Sequence, residues 1–508
     1  MMNRNQTAQS SLLTLQHTTQ KNRCPSNCVH ITLIHFNDVY EIIPVSGGLL
    51  GGLARVAALR KQLAASNPNT FLFFGGDLYN PSALGLAWVD GEPLAGQQSV
   101  AVMNHLGIDA MTFGDHELNT VNQQQFCNRL AATRFKMISS NLFDPTGQPF
   151  ASGQTVVQKN HTFVVTSAQG ETVRLGLFGL TKPIRLAQVE HSHIDWREAA
   201  ATQVAELRPH VDILVALTHQ SLADDQALTQ QFPQIDLVLG GDEHHQIKNQ
   251  VAEKLAPIYK ADSNTRSVYV IDLFYNTTTR QLHIEDRLQP ITNALPDDEE
   301  TLDEINLWVK RGFDAFRAQG WEPTEALAQA PFALDGFESR IRCQRTPFTD
   351  LITQGMMHSA AQADLAILCS WALRLDDCLP AGGTITRYDL LRTFPLGDSP
   401  LYTVEVPGYF LAEILSFGWA RAGSGSFLLT TPNVKPCFTD SQARTEQPVA
   451  WQVNDQPLDD HQSYQVAMSD DLRNDYLFYI NAERAQTVKT RQITGTLYQS
   501  LVAQLQKG

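Results

Sequence analysis

Five short apolar runs, each ending on residues that bind cations, constrain this chain more than any other feature. Ile31 to Phe36 leads into Asn37-Asp38-Val39-Tyr40-Glu41, Phe71 to Phe74 into Gly75-Gly76-Asp77, and Met111 to Phe113 into Gly114-Asp115-His116-Glu117. Ile213 to Leu217 leads into Thr218-His219, and Leu237 to Leu239 into Gly240-Gly241-Asp242-Glu243-His244-His245. Helix-like stretches such as Leu53–Leu63, Ala199–Leu207 and Asp225–Gln231 alternate with these runs. That rhythm predicts an α/β layered domain with buried strands. Residues just beyond the carboxyl ends of neighbouring parallel strands meet at one edge of a sheet. A single strand-end aspartate is ordinarily a turn former or a helix cap. Five acid- or histidine-bearing strand ends in succession imply one shared site, and their chemistry points to a metal-dependent hydrolase.

A chain of 508 residues is too long for one core, so two domains are expected. Residues 1–28 are polar and rich in Gln, Thr, Ser and Asn, which reads as a disordered arm. Residues 29–292 form the first, α/β domain. Pro296-Asp297-Asp298-Glu299-Glu300 then opens a helix, because carboxylates favour its positive N-terminal end. Leu302, Ile305, Leu307, Val309, Phe313 and Phe316 continue it at near-helical spacing. This predicts a helix over 296–319 inside a linker of 293–330. Residues 331–508 read as an α+β domain, with helices Leu351–Ala361 and Phe410–Gly418 and strands Leu365–Leu368, Leu401–Val406 and Tyr464–Met468.

The charge balance, 38 basic against 53 acidic residues, excludes the usual basic surface for nucleic acid or anionic membrane. No stretch reaches the ~18 apolar residues of a membrane span, and the N-terminus lacks the apolar core of a secretory signal. A cytoplasmic location is the default expectation, with export by a route lacking such a signature left open. Seven scattered cysteines suit free thiols in a reducing compartment. The Cys24/Cys28 pair has no second pair to complete a zinc site.

A two-metal hydrolase needs a bridging carboxylate and about three ligands per ion. Asp38, Asp77, Asp115, His219, Asp242 and His244 are the candidates. Their motifs resemble the 5′-nucleotidase branch of the calcineurin-like metallophosphoesterases. That family shows N-D-x-H, G-G-D, G-N-H-E, T-H and G-G-H-D-H in the order found here. The resemblance implies a four-layer α-β-β-α sandwich followed by an α+β substrate-binding domain. It implies that Asp77 bridges two divalent ions. Asp38 and His244 would hold the first ion, and Asp115, His219 and Asp242 the second. His116 would be the catalytic histidine beside the leaving oxygen, and metal-bound hydroxide would attack phosphorus in line.

Three positions depart from the family pattern. Tyr40 stands where a metal-binding His is usual, Asp115 stands for Asn, and Asp242 for the first His of the last motif. The phenol's ordinary pKa near 10 disfavours Tyr40 as a ligand, so it is expected to pack beside the site. The two aspartates shift the cage towards oxygen ligands, which favours Mn²⁺ or Mg²⁺ over Zn²⁺. Their added charge makes bound water less acidic, so an alkaline optimum is expected.

Further on, Arg342-Cys343-Gln344-Arg345 and Leu368-Cys369-Ser370-Trp371-Ala372-Leu373-Arg374 resemble two C-terminal motifs of the family. They imply that Arg342 and Arg374 grip the substrate phosphate. The aromatic clamp on the base is poorly matched: Leu396 and Asp471 stand near the ring positions, Tyr476 and Phe478 are the nearby substitutes, and Cys369 replaces an Asn. The expected function is hydrolysis of small phosphomonoesters, nucleoside 5′-monophosphates first. The alternatives are a non-nucleotide phosphatase, a cyclic phosphodiesterase, or a non-catalytic metal- or phosphate-binding descendant. Neither oligomeric state nor a protein partner is legible.

Overall fold

The computed structural model describes residues 27–507 except 185, 361, 396–397 and 439–446, and the side chains of 475 and 492–494 are likewise left aside. Most of the N-terminal arm, Cys24 and Leu396 fall outside these residues.

Two six-stranded sheets face each other in the first domain. In one, Cys28–Phe36, Thr70–Phe74, Ala110–Thr112 and Lys136–Ile138 run parallel, and Ser267–Asn276 returns antiparallel along Cys28–Phe36. In the other, Thr172–Thr181, Ile213–His219, Leu237–Gly240 and Ile258–Lys260 run parallel. Ile213–His219 and Leu237–Gly240 are buried at every position, as expected of parallel strands covered on both faces. Alternation along the strands builds the layers. Leu175, Leu177, Val215 and Leu217 join the core shared with the first sheet. Phe178, Leu180, Leu214 and Ala216 instead pack outward against Trp196 and Val204 of the helix Trp196–Leu207. Val56, Val102 and Phe126, from helices Leu53–Ser66, Gln97–Leu106 and Gln123–Ala132, belong to the larger core. The result is helix, sheet, sheet, helix.

The helix after the first domain runs Glu299–Ala318, with Asp298 capping Thr301 N–H. It packs on the helices Leu53–Ser66 and Gln97–Leu106 and buries Ile305, Trp308 and Phe316 in the first core. It is thus part of the outer layer rather than a free strut. Its amphipathic face demanded a partner, and the nearest apolar surface was the domain it follows.

The second domain centres on a five-stranded sheet, ordered Leu428–Thr430, Leu365–Cys369, Ser463–Ser469, Pro400–Pro407 and Lys489–Thr496. Helix Pro347–Ser359 starts four residues before the predicted Leu351, because Thr346 caps it in a capping box and Pro347 fits its first turn. Among the described residues, no helix is long and apolar enough to cross a membrane. Cys127, Cys343, Cys369, Cys378 and Cys437 are thiols outside any disulfide.

Candidate metal centre

Strand ends from both sheets bring the six predicted ligand residues together. Four of them hold a left-handed backbone: Asp38 at φ 53°, Asp77 at 65°, Asp242 at 89° and His244 at 60°. Such conformations cost about 1–3 kcal/mol each away from glycine and persist where surrounding structure enforces them. The neighbouring glycines are dictated by crowding. A Cβ on Gly114 would lie 2.0 Å from Asp77 Oδ1, and one on Gly76 would lie 2.5 Å from Gly114 N. The two loops therefore pack backbone to backbone. Glu117 fastens them: its carboxylate accepts N–H bonds from Leu78 (2.6 Å), Tyr79 (3.2 Å), Asp77 (3.1 Å) and Gly114 (2.6 Å). Burial and the charge of Asp77 push its pKa up to about 7.

The donor atoms are spaced as ligands are. His219 Nε2 lies 3.4 Å from Asp77 Oδ2, 3.7 Å from Asp115 Oδ1 and 3.9 Å from Asp242 Oδ1. His244 Nε2 lies 3.2 Å from Asp38 Oδ1. Oxygen and nitrogen ligands about 2.1 Å from one ion sit roughly 3–4 Å apart. Donor atoms of Asp38, Asp77 and His219, and of Asp115, His219 and Asp242, form two groups each within 4.8 Å. His219 Nδ1 donates to Gly75 O at 2.7 Å, which turns Nε2 into the cage. That Nε2 is buried and makes no hydrogen bond of acceptable geometry. A buried ring nitrogen left over in a ring of carboxylates fits a cation. Burial alone would lower His219's pKa, but Asp77 and Asp38 hold it well above the usual range when no ion is bound.

Tyr40 is not merely beside the site. Its hydroxyl is buried inside the first cage, 2.9 Å from His244 Nε2, 3.1 Å from Asp77 Oδ2 and 3.2 Å from Asp38 Oδ1. Burial and the two carboxylates raise its pKa well above the ordinary value when no ion is bound.

His116 borders the cage, with Nε2 3.7 Å from Asp77 Oδ2 and Nδ1 facing Asn119 Oδ1 at 3.0 Å. Arg374 reaches it from the second domain and donates from Nη2 to Nε2 at 3.1 Å. Arg342 stands one layer back. Both guanidiniums meet the buried carboxylate of Glu338: Arg374 at 3.2 Å, Arg342 in direct contact. Glu338 also lies 3.1 Å from His244 Nδ1, so the second domain touches a predicted ligand residue of the first. Burial alone would raise Glu338's pKa, but Arg342 and Arg374 hold it well below the usual range.

Two lysines complete the electrostatics. Buried Lys260 bonds Gln220 O (2.6 Å) and Gly241 O (2.9 Å) and pairs with Asp225 (2.9 Å) and Glu243, fixing the Gly241–Glu243 turn. Lys182 contacts Asp242 and lies 2.9 Å from Asp115, inside the second cage. A search for carboxylates and imidazoles passes over Lys182, yet it follows the strand Thr172–Thr181 as the other site residues follow theirs. Glu338 precedes the quoted C-terminal motifs, and no spacing points to it.

The base-binding region is different in kind. Cys369 is buried, and its thiol, pushed up to about 12 by burial, bonds Gly425 O at 3.2 Å. Tyr476 packs edge-on against Phe417 and donates to Ser426 O, which removes it as a substitute clamp. Phe478 is exposed. Asp471 lines a depression of about 200 Å³ with Trp371, Phe394 and Asp398.

These features define a two-domain α/β protein with a carboxylate–imidazole metal cage at its strand ends and arginines brought to it by the second domain. The family model for calcineurin-like phosphoesterases matches residues 31–246, and that for the 5′-nucleotidase C-terminal domain matches 326–476. The chain therefore carries both domains of the two-domain 5′-nucleotidase kind of calcineurin-like phosphoesterase. It is 25% identical to the trifunctional nucleotide phosphoesterase YfkN of Bacillus subtilis over 78% of this chain and 28% of that protein. It is 23% identical to mouse 5′-nucleotidase over 78% of this chain and 73% of that one. The chain thus spans about a quarter of the length of the bacterial relative. The 5′-nucleotidase precursor of Thermus thermophilus shares the fold with a TM-score of 0.73 at 20% identity, covering 94% of this chain and 96% of that one. The sulfate thiohydrolase SoxB of the same organism does so at 0.71 and 16%, covering 94% of each.

Proposed function

We propose that this protein is a metal-dependent phosphohydrolase that cleaves small phosphomonoesters, with nucleoside 5′-monophosphates as the leading substrates. The observation that carries the reading is the meeting of Asp38, Asp77, Asp115, His219, Asp242 and His244 at one point, with His116 and Arg374 facing it. A bound divalent ion supplies Lewis-acid charge and an activated water. The oxygen-rich donor set favours Mn²⁺ or Mg²⁺ over Zn²⁺. The chain's own groups do the rest. Asp77 is central to the donor set, and Tyr40 donates a hydrogen bond to its carboxylate. Arg374 binds the phosphoryl oxygens, with Arg342 behind it through Glu338. His116 Nε2 accepts from Arg374 Nη2; once Arg374 turns to the phosphoryl oxygens, that nitrogen is free to take up a proton and hand it to the leaving oxygen.

A phosphomonoester without a nucleobase is the second reading. It is favoured by Cys369, whose buried thiol is committed to Gly425 O and presents no amide to a base. A phosphate-release screen over nucleotides, sugar phosphates and cyclic nucleotides, run with Mn²⁺, Mg²⁺ and Zn²⁺, tests the proposal. Turnover of a monophosphate with Mn²⁺ or Mg²⁺, abolished in Asp77→Ala and sharply lowered in His116→Ala, is expected. Absence of turnover with every ion would reject the enzyme in favour of a binding protein.

A further inference from the structure

We infer that Lys182 is the built-in cation of the second cage, so that the chain holds one divalent ion, on the Asp38–Asp77 side, and an ammonium in place of the other. The inference rests on the phosphohydrolase reading only for the identity of the cage.

Three observations carry it. The first is position. Lys182 Nζ contacts Asp242 Oδ1 and lies 2.9 Å from Asp115 Oδ1, between the two residues expected to hold the second ion. Its backbone N–H donates to His219 O at 2.9 Å, which ties it to the strand that delivers the third. The second observation is charge. Asp115 and Asp242 put two carboxylates beside His219 in one group, so the cage carries two negative charges. Lys182 supplies a positive one at the same spot. An ammonium is a compact point charge with three donors, suited to bridging two carboxylates. The third observation is what remains. Asp38, Asp77 and His219 keep their donor atoms within 4.8 Å of one another, and all three residues are buried. That group holds one ion without needing Asp115 or Asp242.

The ion count decides the matter. Purified full-length protein is stripped with a chelator, loaded with excess Mn²⁺, freed of unbound metal and analysed for manganese per chain, with the Mn²⁺ EPR spectrum as a second readout. Wild type is expected to retain one ion with an isolated-ion spectrum. Lys182→Met is expected to gain a second ion and the signature of a coupled pair. Lys182→Arg, which keeps the positive charge, is expected to stay at one and guards against a fold defect in the methionine variant. Two ions in wild type, or an unchanged count in a folded Lys182→Met, would overturn the inference. Wild type that turns over monophosphates with two ions bound defeats the role of Lys182 and leaves the activity intact. Wild type with one ion and no turnover does the reverse.

Discussion

The metal cage and the substrate face of the second domain were both foreseeable from motifs, yet they differ in how the motif becomes geometry. In the first domain each predicted ligand residue ends or follows a buried parallel strand, and the pairing of those strands fixes where it lands. All six predicted ligand residues meet. In the second domain the arginines sit near short helical turns, and their partner is a carboxylate from outside either motif. Arg342 and Arg374 converge on Glu338, which in turn touches His244. Strand topology carries a residue to a place with little help. A site assembled across two domains depends on counter-charges that no local pattern announces.

This contrast can be broken by mutation, most severely at the cage. Asp77→Ala removes the carboxylate nearest to both halves, and metal retention and turnover should both fall to background, checked by metal analysis and phosphate release. His116→Ala should lower kcat by about 10²–10⁴-fold while metal content stays at the wild-type level. A joint loss of metal would make His116 a structural member of the cage. Next comes Glu338→Gln, which keeps shape and removes charge. If the second domain serves the cage by orienting His244, metal affinity should drop by about 10–100-fold, read by isothermal titration. An unchanged affinity with a raised KM would assign Glu338 to the arginines alone.

The smallest effect on turnover is expected at the polar clamp between the domains. Buried Asp377 accepts from Ser46 N at 2.8 Å and pairs with Arg392 at 2.9 Å, and Tyr388 donates to Glu41 at 2.9 Å. Asp377→Asn should destabilise the folded protein by about 3–5 kcal/mol, the usual cost of removing one partner of a buried pair. Burial opposes ionisation of Asp377, but Arg392 and Ser46 hold its pKa below the usual 3.8. Its contribution is therefore complete above pH 3.8 and fades as pH falls through the lower folded value. Glu41 runs the other way, because burial raises its pKa. Thermal melts taken from about pH 5 down to about pH 2 should show the variant losing less stability on acidification than wild type.

Much of the first domain was legible because buried strands announce themselves by unbroken apolar runs, as in Ile213 to Leu217. What escaped has physical reasons. The phenol's pKa argues that Tyr40 packs beside the ligands, but it does not announce the hydrogen bonds the hydroxyl makes there. A protonated hydroxyl sits among the predicted ligand residues as a single donor, within reach of both Asp38 and Asp77. A lysine is no metal ligand, so the ligand pattern is silent on Lys182, although its strand-end position matches theirs. The helix Glu299–Ala318 was recognised by its acidic start, but its packing on the first domain follows from tertiary contact with the helices Leu53–Ser66 and Gln97–Leu106. For the nucleobase there was little to read, and Tyr476 turned out to be spoken for by Phe417 and Ser426.

The most direct test is anomalous diffraction from a crystal saturated with Mn²⁺. A manganese peak enclosed by Asp38, Asp77 and His219, with His116 Nε2 and Arg374 facing it, is the predicted result. Full saturation with no peak among those side chains would contradict the account at its root.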